Sequence, residues 1–155
     1  MTDGGKLAIF IAALAGVVLA GGGAIAAALL TNKKACGPQP PAPSTAIANF
    51  ATAISIAEGS NPAWNNPGSL TASFGFPTTG TANAAGVLMF NSCADGWNAL
   101  FAQLIAIVNG NSRYSLNDSI ATLGLGYSGG DPNWSANVSS VLGVDANTPL
   151  GQVLT

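Results

Sequence analysis

Histidine is absent from this 155-residue chain, charge is scarce, and glutamate occurs once. Without His there is no imidazole triad, no His-based metal cluster and no imidazole pH sensor. Two cysteines are too few for a Cys-rich zinc site or a disulfide framework. Four Lys or Arg against six Asp or Glu leave a net charge of −2, which argues against a nucleic-acid surface. The bases are Lys6, Lys33, Lys34 and Arg113, and the acids are Asp3, Glu58, Asp95, Asp118, Asp131 and Asp145. What remains is chemistry that needs very few ionisable groups. No metal or cofactor is expected.

Solubility rests instead on neutral polar groups, with thirteen Asn and thirteen Ser between Ser44 and Thr155. Such a surface suits a carbohydrate or envelope environment. There is no internal repeat and no nucleotide-binding Gly loop: Gly129-Gly130 lacks both the following Lys and the fingerprint spacing.

Three parts follow along the chain: a tail and membrane helix over 1–31, a Pro-rich linker over 32–43, and a domain over 44–155. Leu7 to Leu30 is an uncharged run of 24 apolar or small residues. At about 1.5 Å per residue it is long enough to cross a hydrocarbon core of about 30 Å. It reads as a single transmembrane helix; the rival reading is a cleavable signal peptide with Lys6 as its basic start. Small residues recur at Ala8, Ala12, Gly16, Ala20, Ala24 and Ala28, a stripe on which a homo- or hetero-oligomer could associate. Similar positive charge on the two flanks leaves orientation open. Gly37-Pro38-Gln39-Pro40-Pro41-Ala42-Pro43 predicts an extended, semi-stiff spacer that holds the domain clear of a bilayer. Cys36 and Cys93 either pair in an oxidising compartment or stay as two thiols.

The domain reads as mostly α with a minor β element. Ser44 or Thr45 caps a helix running to Ala57 or Glu58 and stopped by Gly59. Its apolar series Ile47, Ala51, Ile54 continues onto Glu58. Short strands are expected near Leu70–Phe74 and Val87–Phe90. A second helix starts between Ser92 and Asp95 with the face Trp97, Leu100, Phe101, Leu104, Ile105 and Val108, and ends at Gly110. Ser115 caps a short helix to Leu123, and Asp131-Pro132 opens a last helix that Gly143 stops. Asp95 and Asp131 read as helix caps, and Phe90 and Trp97 as core.

Glu58 is the sharpest feature. A carboxyl set against apolar groups is harder to ionise, and a carboxylic acid that keeps its proton near neutral pH suits general-acid cleavage of a glycosidic bond. The turn Asn65-Asn66-Pro67-Gly68 reads as a cleft wall whose amides suit sugar hydroxyls and N-acetyl groups. Trp64 and Tyr127 are the candidate sugar platforms.

Ala57-Glu58-Gly59, then Asn65-Asn66-Pro67-Gly68-Ser69-Leu70, Phe90 and Asp95-Gly96-Trp97-Asn98-Ala99-Leu100 form an ordered set. Further on stand Leu125-Gly126-Tyr127, Asp131-Pro132-Asn133-Trp134, Leu142-Gly143-Val144 and Thr148-Pro149-Leu150. Together, from about Ile47 to Leu150, they resemble the lysozyme-like transglycosylase domains of bacteriophage virion proteins. That resemblance implies an α+β lysozyme-like fold, Glu58 as catalytic acid, and substrate contacts from Trp64, Asn65, Asn66, Ser69 and Tyr127. Ser69 replaces the family's usual Asn, and Thr71 stands where a basic residue is often found.

The resemblance also implies a membrane-anchored lytic transglycosylase that cuts the β-1,4 MurNAc–GlcNAc bond of peptidoglycan. It would sit in a virion membrane or a host inner membrane, with the domain in the envelope space. One acid suffices because the sugar's own 6-hydroxyl replaces the external nucleophile, whereas hydrolases usually need two carboxyl groups. The alternatives are a non-catalytic structural or glycan-binding virion protein with the same fold, and a holin-type membrane-perturbing protein.

Overall fold

The computed structural model describes residues 36–59 and 61–155. The membrane helix expected at 7–30, its signal-peptide rival and its small-residue stripe lie outside the described residues. Among the described residues, no helix is long and apolar enough to cross a membrane.

Five α-helices and one small antiparallel sheet make up the domain. Helix α1 spans Thr45–Glu58, followed by a 3-10 turn at Pro62–Trp64. Strands β1 (Thr78–Thr81) and β2 (Leu88–Phe90) come next, then α2 (Cys93–Val108), α3 (Ile120–Tyr127), α4 (Pro132–Leu142) and α5 (Leu150–Leu154).

The helix boundaries follow from local chemistry. Ser44 accepts a hydrogen bond from Ile47 N at 3.2 Å and caps α1, and Gly59 in the left-handed region ends it. Ser92 caps α2 by accepting from Asp95 N, while its own hydroxyl donates to the Asp95 carboxylate at 2.6 Å. Asp131 caps α4 through Asn133 N, and left-handed Gly143 closes that helix. The buried interior joins Phe50 and Ile54 of α1, Leu100, Leu104 and Ile107 of α2, Ile120 and Leu123 of α3, Val138 of α4, and Leu150 of α5. Helix α1 packs on α2, α4 and α5, so its apolar stripe is covered from three directions. On α2, Ile107 is fully buried, whereas Ile105 and Val108 are half-buried at the edge of that face.

Three expectations need correction. The first strand is Thr78–Thr81, fully exposed, and Leu70–Phe74 is not a strand. Ser69 and Phe74 both have positive φ (49° and 50°), so the chain turns there. Leu70 N meets the Asn66 side chain and Leu70 O accepts from Leu88 N, which anchors the hairpin. The helix expected from Ser115 begins instead at Ile120, with Ser119 as its cap. Ser115 is held in a turn by the Asp118 carboxylate, at 2.7 Å from its main-chain N. Finally, residues 36–43 are not a free spacer. Cys36 is bonded to Cys93 and buried, Gln39 bridges Ala48 O and the Thr52 hydroxyl, and Trp97 Nε1 donates to Cys36 O at 3.0 Å.

Two loops before short helices, thirty residues apart, pair reciprocally. Ile120 N and Ala121 N donate to Thr148 O and Ala146 O, and Leu150 N and Gly151 N donate to Asp118 O and Leu116 O. Leu116-Asn117 and Ala146-Asn147 therefore occupy equivalent places, a local two-fold relation at which only the shared Asn117 and Asn147 hint in the sequence. It ties the start of α5, a helix that the sequence pattern does not announce, to the loop that precedes α3.

Candidate functional site

The last residue of α1 is Glu58, and the left-handed Gly59 turns the main chain away behind it. Because Ile47, Ala51 and Ile54 on the same stripe are buried, the carboxyl is carried toward the interior and ends half-buried. Two neighbouring segments meet it there.

The first is the 65–70 turn. Asn66 is fully buried: its Nδ2 donates to Leu70 O at 2.9 Å and Leu88 O at 2.8 Å, and its Oδ1 accepts from Leu70 N at 2.8 Å. This is a correction to its expected role in sugar contact, since a side chain closed on three main-chain partners has no face left for a ligand. Its role is to shape the turn that presents Ser69. The Ser69 hydroxyl hydrogen-bonds the Glu58 carboxyl. Gly96 of α2 permits this placement, because a Cβ there would overlap Asn65 O and the Pro67 ring. The Asp-Gly-Trp and Asn-Asn-Pro-Gly segments are thus parts of one contact.

The second segment is α4. Trp134, almost wholly buried, donates from Nε1 to Glu58 Oε1 at 2.7 Å. An indole N–H is a donor only, so it favours the carboxylate form at that oxygen. Tyr127 stacks on Trp134 with centroids 4.9 Å apart. Its hydroxyl donates to Gly68 O at 2.9 Å, with Gln103 Oε1 at 3.2 Å from the same oxygen. One face of Tyr127 is therefore covered by Trp134 and its tip is tied to the turn. That replaces the expected open sugar platform with a brace between α3, α4 and the turn.

Burial raises the Glu58 pKa above the ordinary 4.5, and the hydrogen bonds from Ser69 and Trp134 work against that rise without cancelling it. The Tyr127 phenol is pushed well above 10, first by burial and then by the nearby charge of Glu58 and by Tyr114. It is a neutral hydrogen-bonding group at any physiological pH. The other described acids are engaged locally: Asp95 with Ser92, Asp118 with Ser115, Asp131 with Asn133 and Asp145 with Asn147 N.

A cleft of about 150 Å³ lies between Ser69–Leu70–Thr71 on one side and Gln103, Arg113, Gly126 and Tyr127 on the other; Glu58 does not line it and is joined to it through Ser69. Ser69 borders both the cleft and Glu58. Of the expected contact residues, Ser69 and Tyr127 converge here. Asn65 does not: its Nδ2 donates to Phe90 O at 3.0 Å. Trp64 is half-buried in the 3-10 turn, which packs against β2. Trp134, Gln103 and Arg113 complete the site and were not singled out from the sequence. No sequence pattern singles out Trp134, because the packing of α4 on α1 alone brings it to Glu58. Among the described residues, no group of three or more Cys, Asp or Glu is placed to hold a metal ion.

Compared with known proteins, the chain matches no family model, no curated protein and no solved structure.

Proposed function

We propose that this chain is a peptidoglycan lytic transglycosylase with a lysozyme-like fold, anchored to a virion or host membrane through residues 7–30. The observation that carries the reading is the setting of Glu58: half-buried, raised in pKa, held by Trp134 and by Ser69, and joined through Ser69 to a polar cleft. A carboxyl in that state is poised to give a proton and afterwards to take one back. In the first step Glu58 protonates the oxygen linking N-acetylmuramic acid to N-acetylglucosamine, and the C1–O4 bond breaks. In the second, the muramic O6 attacks C1 while its proton returns to the Glu58 carboxylate, giving a 1,6-anhydro ring. No water is consumed and no second carboxyl is required. The local engagement of the four described Asp residues supports this one-acid scheme. The Cys36–Cys93 disulfide supports an oxidising, extracytoplasmic place for the domain.

Murein incubated with the full chain tests the reading. Anhydro-muropeptides from wild type and none from Glu58→Gln are expected, because the amide still accepts from Trp134 but has no proton to cycle. Equal digestion by both overturns it, and products with reducing ends identify a hydrolase instead. The second reading, a glycan-binding structural protein, draws on Glu58 joining α1 to α4 and to the 65–70 turn. Retention on murein without any product, by both forms alike, would establish it.

A further inference from the structure

The cleft joined to Glu58 through Ser69 contains Arg113, the single Lys or Arg among the described residues. Its side chain is exposed, yet it is held in place. Nη2 donates to the Tyr114 hydroxyl at 2.7 Å and to Gly126 O at 3.1 Å, and Cζ stands 4.8 Å from the Tyr114 ring centroid. Gly126 makes this possible, since a Cβ there would overlap the Tyr114 hydroxyl and come 2.7 Å from Arg113 Nη2. Both Nη2 protons are engaged in this way. The protons on Nε and Nη1 are not taken by any described residue; they lie on separate sides of the guanidinium, and each can give one charge-assisted hydrogen bond to a carboxylate oxygen. Around it the cleft offers the neutral polar groups of Ser69, Thr71, Gln103 and Tyr127. One fixed positive charge among hydroxyls and an amide fits a sugar that carries an acid, and gives a neutral glycan no partner for the charge.

We propose that this cleft is a carboxylate-binding subsite in which Arg113 takes the acidic substituent of a glycan lying against Glu58. The placement of the glycan rests on the transglycosylase reading. The carboxylate has two sources, the lactyl group of muramic acid and the peptide attached to it.

The test is calorimetric titration of the full chain in detergent, carrying Glu58→Gln so that no probe is cleaved. Three disaccharide probes of N-acetylglucosamine and N-acetylmuramic acid are compared: the free lactyl acid, its neutral lactyl amide, and the form bearing a tripeptide. At least one acidic probe should bind about tenfold tighter than the amide, the size expected of a charge-assisted pair. Preference for the free acid assigns the lactyl carboxylate, and preference for the tripeptide form alone assigns the stem. Adding Arg113→Gln should erase the preference, and Arg113→Lys should restore part of it. Acidic and neutral probes binding alike, or a preference that survives Arg113→Gln in a folded protein, overturns the subsite. If Arg113→Gln does not fold, the Arg113 Nε–H resonance of the Glu58→Gln protein decides. It should move with an acidic probe and stay with the amide, and equal movement with both overturns the proposal. Murein digestion by the protein with Glu58 intact is scored separately. Charge preference without digestion removes the enzyme and keeps the subsite, and digestion without preference does the reverse.

Discussion

Trp134 Nε1 lies 2.7 Å from Glu58 Oε1 and joins residues 76 positions apart in the chain. The bond ties the C-terminal end of α1 to α4, and it delivers a donor to a carboxyl that burial is pushing toward its neutral form. The two influences have opposite sign. Burial wins, and the indole limits the margin.

Trp134→Phe keeps most of the ring volume and the stacking surface for Tyr127 while deleting the N–H. Loss of a donor to the carboxylate raises the Glu58 pKa further. Carboxyl-carbon NMR titration should place the Glu58 transition at higher pH in the variant than in wild type. If murein cleavage is measured, the basic limb of its pH profile should move in the same direction. A transition unmoved or lowered would show that the bond does not set the proton affinity of the acid.

Folding stability should respond to pH through the same residue. The folded Glu58 binds its proton more tightly than the unfolded one, so its contribution is fully present below about 4.5 and is lost as pH rises through the raised folded value. Glu58→Gln has no proton to lose. Denaturant midpoints measured from pH 4 to pH 8 should therefore fall less steeply for Glu58→Gln than for wild type. Parallel curves would contradict a buried, proton-retaining Glu58.

Closing 57 residues with the Cys36–Cys93 bond restricts the unfolded chain. Cys93→Ser should lower stability by about 2–4 kcal/mol, the range for loops of this order. The strap should loosen at the same time, because Trp97 Nε1 bonds Cys36 O and Gln39 bonds Ala48 O and Thr52. Hydrogen exchange at the indole Nε1–H of Trp97 should speed up more than amide exchange within α4. Unchanged stability would mean that packing alone holds residues 36–43.

Where capping and periodicity agree, the sequence was readable. Ser44, Ser92 and Asp131 cap α1, α2 and α4, and Gly59 and Gly143 end the first and last of these at the expected places. Ser115 and Ser119 are equally good caps by residue type, so their choice was not readable. It is decided by Asp118 and by the pairing with residues 146–151. Strand β1, Thr-Thr-Gly-Thr, has no buried face and hence no alternation to detect. Asn66 shows the same limit in the site: an amide that suits a sugar equally suits three main-chain groups, and only burial distinguishes the two.

The sequence by itself determined that the domain has one Glu, that this Glu ends an apolar helix face, and that almost no other charge competes with it. Those facts depend on residue order and on the 3.6-residue period, both local. Which groups surround the carboxyl was decided by tertiary structure alone. Trp134, Ser69 and the Arg113 cleft come from three other segments, and their approach depends on Gly96 and Gly126 leaving room where any side chain would collide. Proton affinity follows from that enclosure, because burial and hydrogen bonding act over a few ångströms in space regardless of distance along the chain.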